Sequence, residues 1–163
     1  MTPLTLQTIP QSLTIIPASC IEDLRLAVEC WARLQAYLSG AYRKPTALQE
    51  FLVWILTQGR VYVQLRDELY VQLLRQLRLL YNKSNKDTLC RGWMLMRFYT
   101  TTFPPSHALH KHLNAFLYYM EQVIAIRFPY IFVGLPSCHQ NLILTLLLGA
   151  HREIKIRTIP LSH

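Results

Sequence analysis

Apolar side chains recur along this chain at the three- and four-residue spacing of amphipathic helices, and short polar breaks separate one run from the next. Ile21, Leu24, Val28, Trp31, Leu34 and Leu38 form the first run, closed by Gly40. Ser19 and Glu22 stand ahead of it at capping-box spacing, where hydroxyl and carboxylate each satisfy a free backbone N–H. Pro45-Thr46 with Gln49 repeats the start signal for a second helix carrying Leu48, Phe51, Leu52, Ile55 and Leu56, with Gly59 predicted as its left-handed C-cap. A third helix is predicted from about Val63 through Leu65, Leu69, Leu73, Leu77 and Leu80. Asp67 and Glu68, read as its first turn, and Arg75 and Arg78 in its later turns follow the order that suits the helix dipole. After the polar break 82–86, a fourth helix is predicted over 88–101, stopped by Phe103-Pro104-Pro105 because neither proline can donate to the helical ladder. A fifth starts at a Ser106 cap and uses Leu109, Leu113, Phe116, Leu117, Met120 and Ile124 before Pro129, and a sixth runs from Ser137 to Gly149.

Strand patterns are weak, since only Arg152 to Ile159 alternates over a strand's length. The predicted fold class is therefore all-α, a compact bundle of six or more helices. No period repeats, and 163 residues make one domain's worth of chain, residues 1–163. An apolar fraction of 52% with 16% charged residues excludes a disordered tail.

Charge adds an asymmetry that the helical pattern does not show. The net charge is +8; residues 1–80 hold eight basic and six acidic side chains, residues 81–163 nine and three. Such a surplus favours an acidic partner: nucleic acid, an anionic membrane leaflet or an acidic protein surface. Cys20, Cys30, Cys90 and Cys138 form no C-x-x-C pair, the usage of a reduced cytoplasmic protein. The first basic residue is Arg25, so the N-terminal stretch lacks a signal or transit pattern. Phe128 to Ala150 is the most apolar stretch, but its prolines, His139, Gln140 and Asn141 argue against a transmembrane segment.

The chain displays no convergent catalytic chemistry. Its five glycines are too dispersed for a phosphate-binding loop. His107, His110 and His112 have no cysteine or carboxylate nearby in sequence, and read as solvated or capping residues rather than metal ligands. Asp67 and Glu68 are adjacent, so on a helix they diverge by about 100° and cannot act as a paired acid and base. No enzyme activity, cofactor or metal is expected. The positive signal is Tyr70 to Met120, where Arg75, Arg78, Lys83, Lys86, Arg91, Arg97 and Lys111 face a lone Asp87. Arg75 and Arg78 share a helix face, Lys83 and Lys86 in the adjoining break extend it, and Arg97 is expected half-buried against Asp67 or Glu68. Trp31, Trp54 and Trp93 lie on apolar faces and read as core residues, which disfavours base stacking on nucleic acid.

Three blocks then resemble a known family. Leu65-Arg66-Asp67-Glu68-Leu69-Tyr70 with Gln72, Arg75 and Gln76, then Arg91-Gly92-Trp93-Met94-Leu95, then Phe103-Pro104-Pro105-Ser106 resemble the myosin tail homology 4 (MyTH4) domain in order and spacing. Pro10-Gln11-Ser12-Leu13 is similar to its entry segment, and Gln35-Ala36-Tyr37-Leu38 to the end of its first core helix. The match covers about residues 8–120; residues 121–163 diverge, and Tyr37-Leu38-Ser39-Gly40 replaces a common Tyr-Met-Gly-Asp.

That resemblance implies a non-catalytic helical module of motor tails and adaptors, cytoplasmic and cytoskeletal, which binds microtubules or acidic cargo through a basic surface. It implies a FERM domain in the parent protein, for which these residues leave no room. Arg75, Arg78, Lys83, Lys86, Arg91 and Lys111 are the candidate contacts with tubulin or another acidic partner. Arg66, Asp67, Glu68, Trp93 and Pro104 are implied to be structural motif residues, with Arg91 also resembling a framework position. The alternatives are a nucleic-acid or anionic-lipid binder using the same charge, and a structural spacer with dispersed, solvated basic residues.

Overall fold

A computed structural model describes residues 13–14, 21–83 and 86–131, and among them every regular element is an α-helix. The order is α1 (Ile21–Leu38), α2 (Pro45–Val61), α3 (Val63–Lys83), α4 (Lys86–Thr102) and α5 (His107–Ile131). The all-α class is therefore observed, with five helices among the described residues. The predicted sixth helix and the alternating stretch near Arg152 lie outside them, as does the Ser19 cap.

Helix α3 is the hub, packing against α1, α2 and α4. Its leucines at 69, 73 and 77 are sealed from solvent, as the predicted stripe requires, and meet Trp31 and Leu34 of α1, Phe51 and Ile55 of α2, and Trp93 of α4 in one core. Leu113, Leu117 and Met120 carry α5 into the same core, where Phe116 stacks on Trp93 at 6.4 Å. Beside the core, Tyr70, Tyr99 and Phe103 form an aromatic trio with centroid separations of 5.1 to 5.7 Å.

Helix ends differ from expectation at three places, each for a local reason. Gly40, not Gly59, supplies the left-handed terminus: its φ is +78°, and the N–H groups of Gly40 and Ala41 donate to Tyr37 O and Ala36 O in a Schellman pattern. Gly59 sits inside α2 and is buried, because the Phe103 ring occupies the space where a side chain would begin. Thr46 does not cap α2 either; Lys44 is the N-cap residue, without a side-chain bond, and Pro45 takes the first helical position, where its missing N–H has no helical partner to lose. Finally, α5 continues through Pro129 to Ile131, since a proline forfeits its own ladder bond without obliging a helix to stop at once.

Gly59 yields a sharp test. An added Cβ would lie 2.2 Å from Phe103 Cε1 and 2.3 Å from Cζ, and that ring is locked by Tyr70 and Tyr99. Overpacking of this kind costs up to about 3 kcal/mol, against about 1 kcal/mol gained from replacing glycine by alanine in a helix. Gly59→Ala should therefore lose about 2 kcal/mol in urea unfolding, and adding Phe103→Leu should recover part of that loss. Stability equal to the parent chain would contradict the packing described.

Candidate basic interface

The motif blocks, distant in sequence, meet one another at the helix ends. Arg66 reaches back across the single-residue link at Tyr62: its Nε donates to Gly59 O at 2.8 Å and its Nη2 to Arg60 O at 3.1 Å. A cation on the last carbonyls of α2 satisfies acceptors that the helix leaves open and opposes the negative end of its dipole. Arg91 does the same for α1, donating through Nε and Nη2 to Leu38 O at 3.0 and 2.8 Å, and through Nη2 to Thr88 Oγ1 at 3.2 Å. Its guanidinium carbons and nitrogens lie under Gly40, 3.5 to 3.6 Å from where a Cβ would stand, and Tyr37 Oη donates to the Arg91 carbonyl at 3.1 Å.

The two carboxylates of the long motif also hold tertiary structure, where the sequence suggested favourable charges in a first turn. Val63 begins α3, so neither Asp67 nor Glu68 falls in its opening turn. Asp67 Oδ1 accepts the Ser106 N–H at 2.8 Å and its Oδ2 accepts the Ser106 hydroxyl. Ser106 Oγ in turn accepts the Leu109 N–H, fixing the start of α5. Glu68 is fully buried and receives the Leu13 N–H at 2.9 Å, the Thr14 N–H at 2.7 Å, the Thr14 hydroxyl at 2.7 Å and Gln72 Nε2 at 2.8 Å. A carboxylate is tolerable in the interior only when donors converge on it like this. Tyr70 Oη donates to Phe103 O at 2.9 Å, anchoring the turn that Pro104 and Pro105 continue. Trp93 is completely buried, and its Nε1 has no hydrogen-bond partner among the described residues.

The candidate contacts separate into two sets. Arg78 and Lys111 are exposed and join no ion pair among the described residues; Arg75, half-buried, stands three residues from Arg78 on α3. Lys83 closes α3 and Lys86 opens α4, so both belong to helices and two residues separate them, rather than lying within a longer loop. Arg91, by contrast, commits its fork to Leu38. Arg97 is half-buried, and Asp67, one of its two anticipated partners, is engaged by Ser106. The inward turn of Arg91 carries a sequence signal: a basic residue needed at a helix C-terminus, here α1, whose own last turn contains none.

His110 Nδ1 lies 3.3 Å from Asn114 Nδ2, one turn further along α5. No group of three or more His, Cys, Asp or Glu among the described residues is arranged to hold a metal ion, and no helix there is long and apolar enough to cross a membrane. Trp31 and Trp93 are core residues, while Trp54 is half-buried with the Arg33 guanidinium 4.0 Å from its ring centroid.

Comparison with known proteins matches residues 52–151 to the MyTH4 domain. The chain is 31% identical over 110 residues to the myosin-I heavy chain of Dictyostelium discoideum, covering 64% of this chain and 4% of that protein. It is 28% identical over 146 residues to human unconventional myosin-XV, covering 89% and 4%. Among solved structures it is similar to the MyTH4-FERM MF1 domain of Dictyostelium myosin VII, in a mutant form, with a TM-score of 0.69 and 24% identity, covering 93% of this chain and 28% of that one. The MF2 domain of the same myosin gives 0.67 and 22%, over 94% and 27%. These structural likenesses concern the fold, and the chain spans about 4% of the curated relatives it matches.

Proposed function

Because the chain belongs to the MyTH4 domain family, a non-catalytic cytoskeletal module of myosin tails, we propose that it holds an acidic partner, the microtubule surface or acidic cargo, through basic side chains on α3, α4 and α5. The observation that carries this reading is the exposure of Arg78 and Lys111 without an ion-pair partner among the described residues, in a stretch from Tyr70 to Met120 whose lone acidic residue is Asp87. Unpaired cations of one sign create a field that steers an acidic surface and weakens with salt. Arg75, Lys83 and Lys86 extend the set along the chain, and Arg91 serves it by fixing the end of α1 against α4. The site suits a polyanionic protein surface better than nucleic acid, since Trp31 and Trp93 are withdrawn into the core and offer no stacking platform. In this reading the parent protein acts with the cytoskeleton in the cytoplasm and carries a FERM domain beside this module, as the names of the solved myosin VII chains indicate for theirs.

Microtubule co-sedimentation of the 163-residue chain tests the reading. Arg78→Glu with Lys111→Glu, and separately Lys83→Glu with Lys86→Glu, should each weaken binding by about tenfold, ~1.4 kcal/mol. Raising salt should weaken the parent chain as well. Binding indifferent to salt and to both reversals would sink the proposal.

A further inference from the structure

The opposite chemistry appears on α1 and α2. One groove of about 530 Å³ follows the outer face of α2, lined among others by Glu50, Val53, Trp54 and Thr57. A second, of about 270 Å³, lies beside the start of α1 and includes Asp23, Leu26, Glu29 and Tyr62. Gln58 lines both, so the two depressions adjoin. The apolar part is unusually open for this protein: Val53 is 60% exposed, and at the α2–α3 corner Val61 and Val63 are 61% and 63% exposed. The charged part is acidic in a chain whose net charge is +8. Glu22 and Glu29 are matched by Arg25 and Arg33 at 3.5 and 2.7 Å, whereas Asp23 and Glu50 join no ion pair among the described residues.

Trp54 supplies an independent indication of what this face accepts. Its ring already carries a cation, the Arg33 guanidinium, at 4.0 Å, steadied by Glu29. Cation, indole and carboxylate thus combine here within the fold, an arrangement that a second cationic ligand can repeat alongside it.

We propose that the α1/α2 face is a docking groove for a basic amphipathic helix of a partner protein. Its apolar side chains cover Val53, the open part of Trp54 and Val61, and its lysines or arginines meet Glu50 and Asp23. Charge complementarity favours this occupant, because a basic helix answers the two carboxylates that an acidic segment would only repel. The length agrees: α2 has 17 residues, about 25 Å of helix, enough for a helical segment of four to five turns to lie along it. The inference is separate from the basic surface on α3 to α5, and makes the domain a bridge between an acidic and a basic partner.

The probe is a synthetic helical peptide of about 18 residues built from lysine and leucine, ~27 Å long, titrated into the isotopically labelled 163-residue chain. A glutamate and leucine peptide of the same pattern is the comparison. Amide shifts at Asp23, Glu50, Val53 and Trp54 are expected for the lysine peptide only. Asp23→Lys with Glu50→Lys should weaken it at least about tenfold, and Val53→Ser should weaken it by removing the apolar contact without adding charge. Arg78→Glu with Lys111→Glu, charge reversals of the same number outside the groove, should not weaken it. Any of four results overturns the proposal: no binding, shifts confined to other helices, equal affinity in Asp23→Lys/Glu50→Lys, or equal binding of the glutamate peptide. Because microtubule binding is read with different residues and a different assay, either proposal can fail alone.

Discussion

Stability should fall steeply above about pH 9 to 10, where unperturbed thiols and phenols begin to ionise. Burial pushes the Cys30 thiol up to about 12, with Glu29 adding to the shift and Arg33 opposing it. Burial likewise takes Tyr37 up to about 12 against the pull of Arg91, and raises Tyr99 well above its ordinary value. All three groups stay protonated in the fold at pH values where the unfolded chain has released their protons. The unfolded state therefore binds fewer protons than the native one, and unfolding becomes easier as pH rises. The effect is absent below the ordinary values and grows between them and the raised ones, by about 1.4 kcal/mol per pH unit for each group. Together such groups remove a growing share of the about 5 to 15 kcal/mol that holds an ordinary domain folded. Urea titrations at intervals from pH 8 to 11 measure the slope. In Cys30→Ala, which removes one of the groups, the decline should be shallower; superimposable slopes would show that Cys30 is not held neutral by the fold.

Removal of Glu68 should produce the largest loss at neutral pH. Its carboxylate is the shared acceptor for two backbone N–H groups, the Thr14 hydroxyl and Gln72. Glu68→Ala strands those donors, and although Leu13 and Thr14 can regain water by detaching, Gln72 remains buried. Hydrogen bonds to a charged group contribute about 1.5 to 3 kcal/mol each, so a total loss of about 3 to 5 kcal/mol is expected once partial rehydration is allowed. Glu68→Gln should not rescue the protein, because its amide nitrogen would turn a donor toward donors. Denaturant unfolding reads the stability, and hydrogen exchange at the Leu13 and Thr14 amides reads the release of that segment. Protection there unchanged in Glu68→Ala would show that Leu13 and Thr14 are held by something else.

What the sequence reveals about this domain follows physical range. Helix positions came from periodicity within one turn, and α3 begins where the leucine run predicts. The ends of α2 were misread because Gly59 looks like a terminator when only neighbours along the chain are considered. Its role depends on Phe103, 44 positions later, whose ring fills the gap. Asp67 and Glu68 show the same limit: adjacent acids on a helix suggest dipole compensation, yet their partners are Ser106 and Thr14. For the candidate interface, the charge count alone separates basic from acidic stretches, and it cannot tell Arg91, folded onto Leu38, from the exposed Arg78. The acidic groove is not legible in the sequence, because Asp23, Glu50, Val53 and Tyr62 come from two helices and a link, and each is an ordinary surface residue where it stands in the chain.

The bond between Leu13, Thr14 and Glu68 also defines a path for mechanical load. A pull on the chain ahead of Leu13 is delivered to the second turn of α3, across more than fifty positions, before any tension reaches the start of α1 at Ile21. The pull is borne by several hydrogen bonds at one carboxylate, seated on the helix that packs against α1, α2 and α4. When this module is under tension, the anchor bears it at the hub while α1 stays packed, and yielding of that anchor is the first step by which force would reach the bundle's edge.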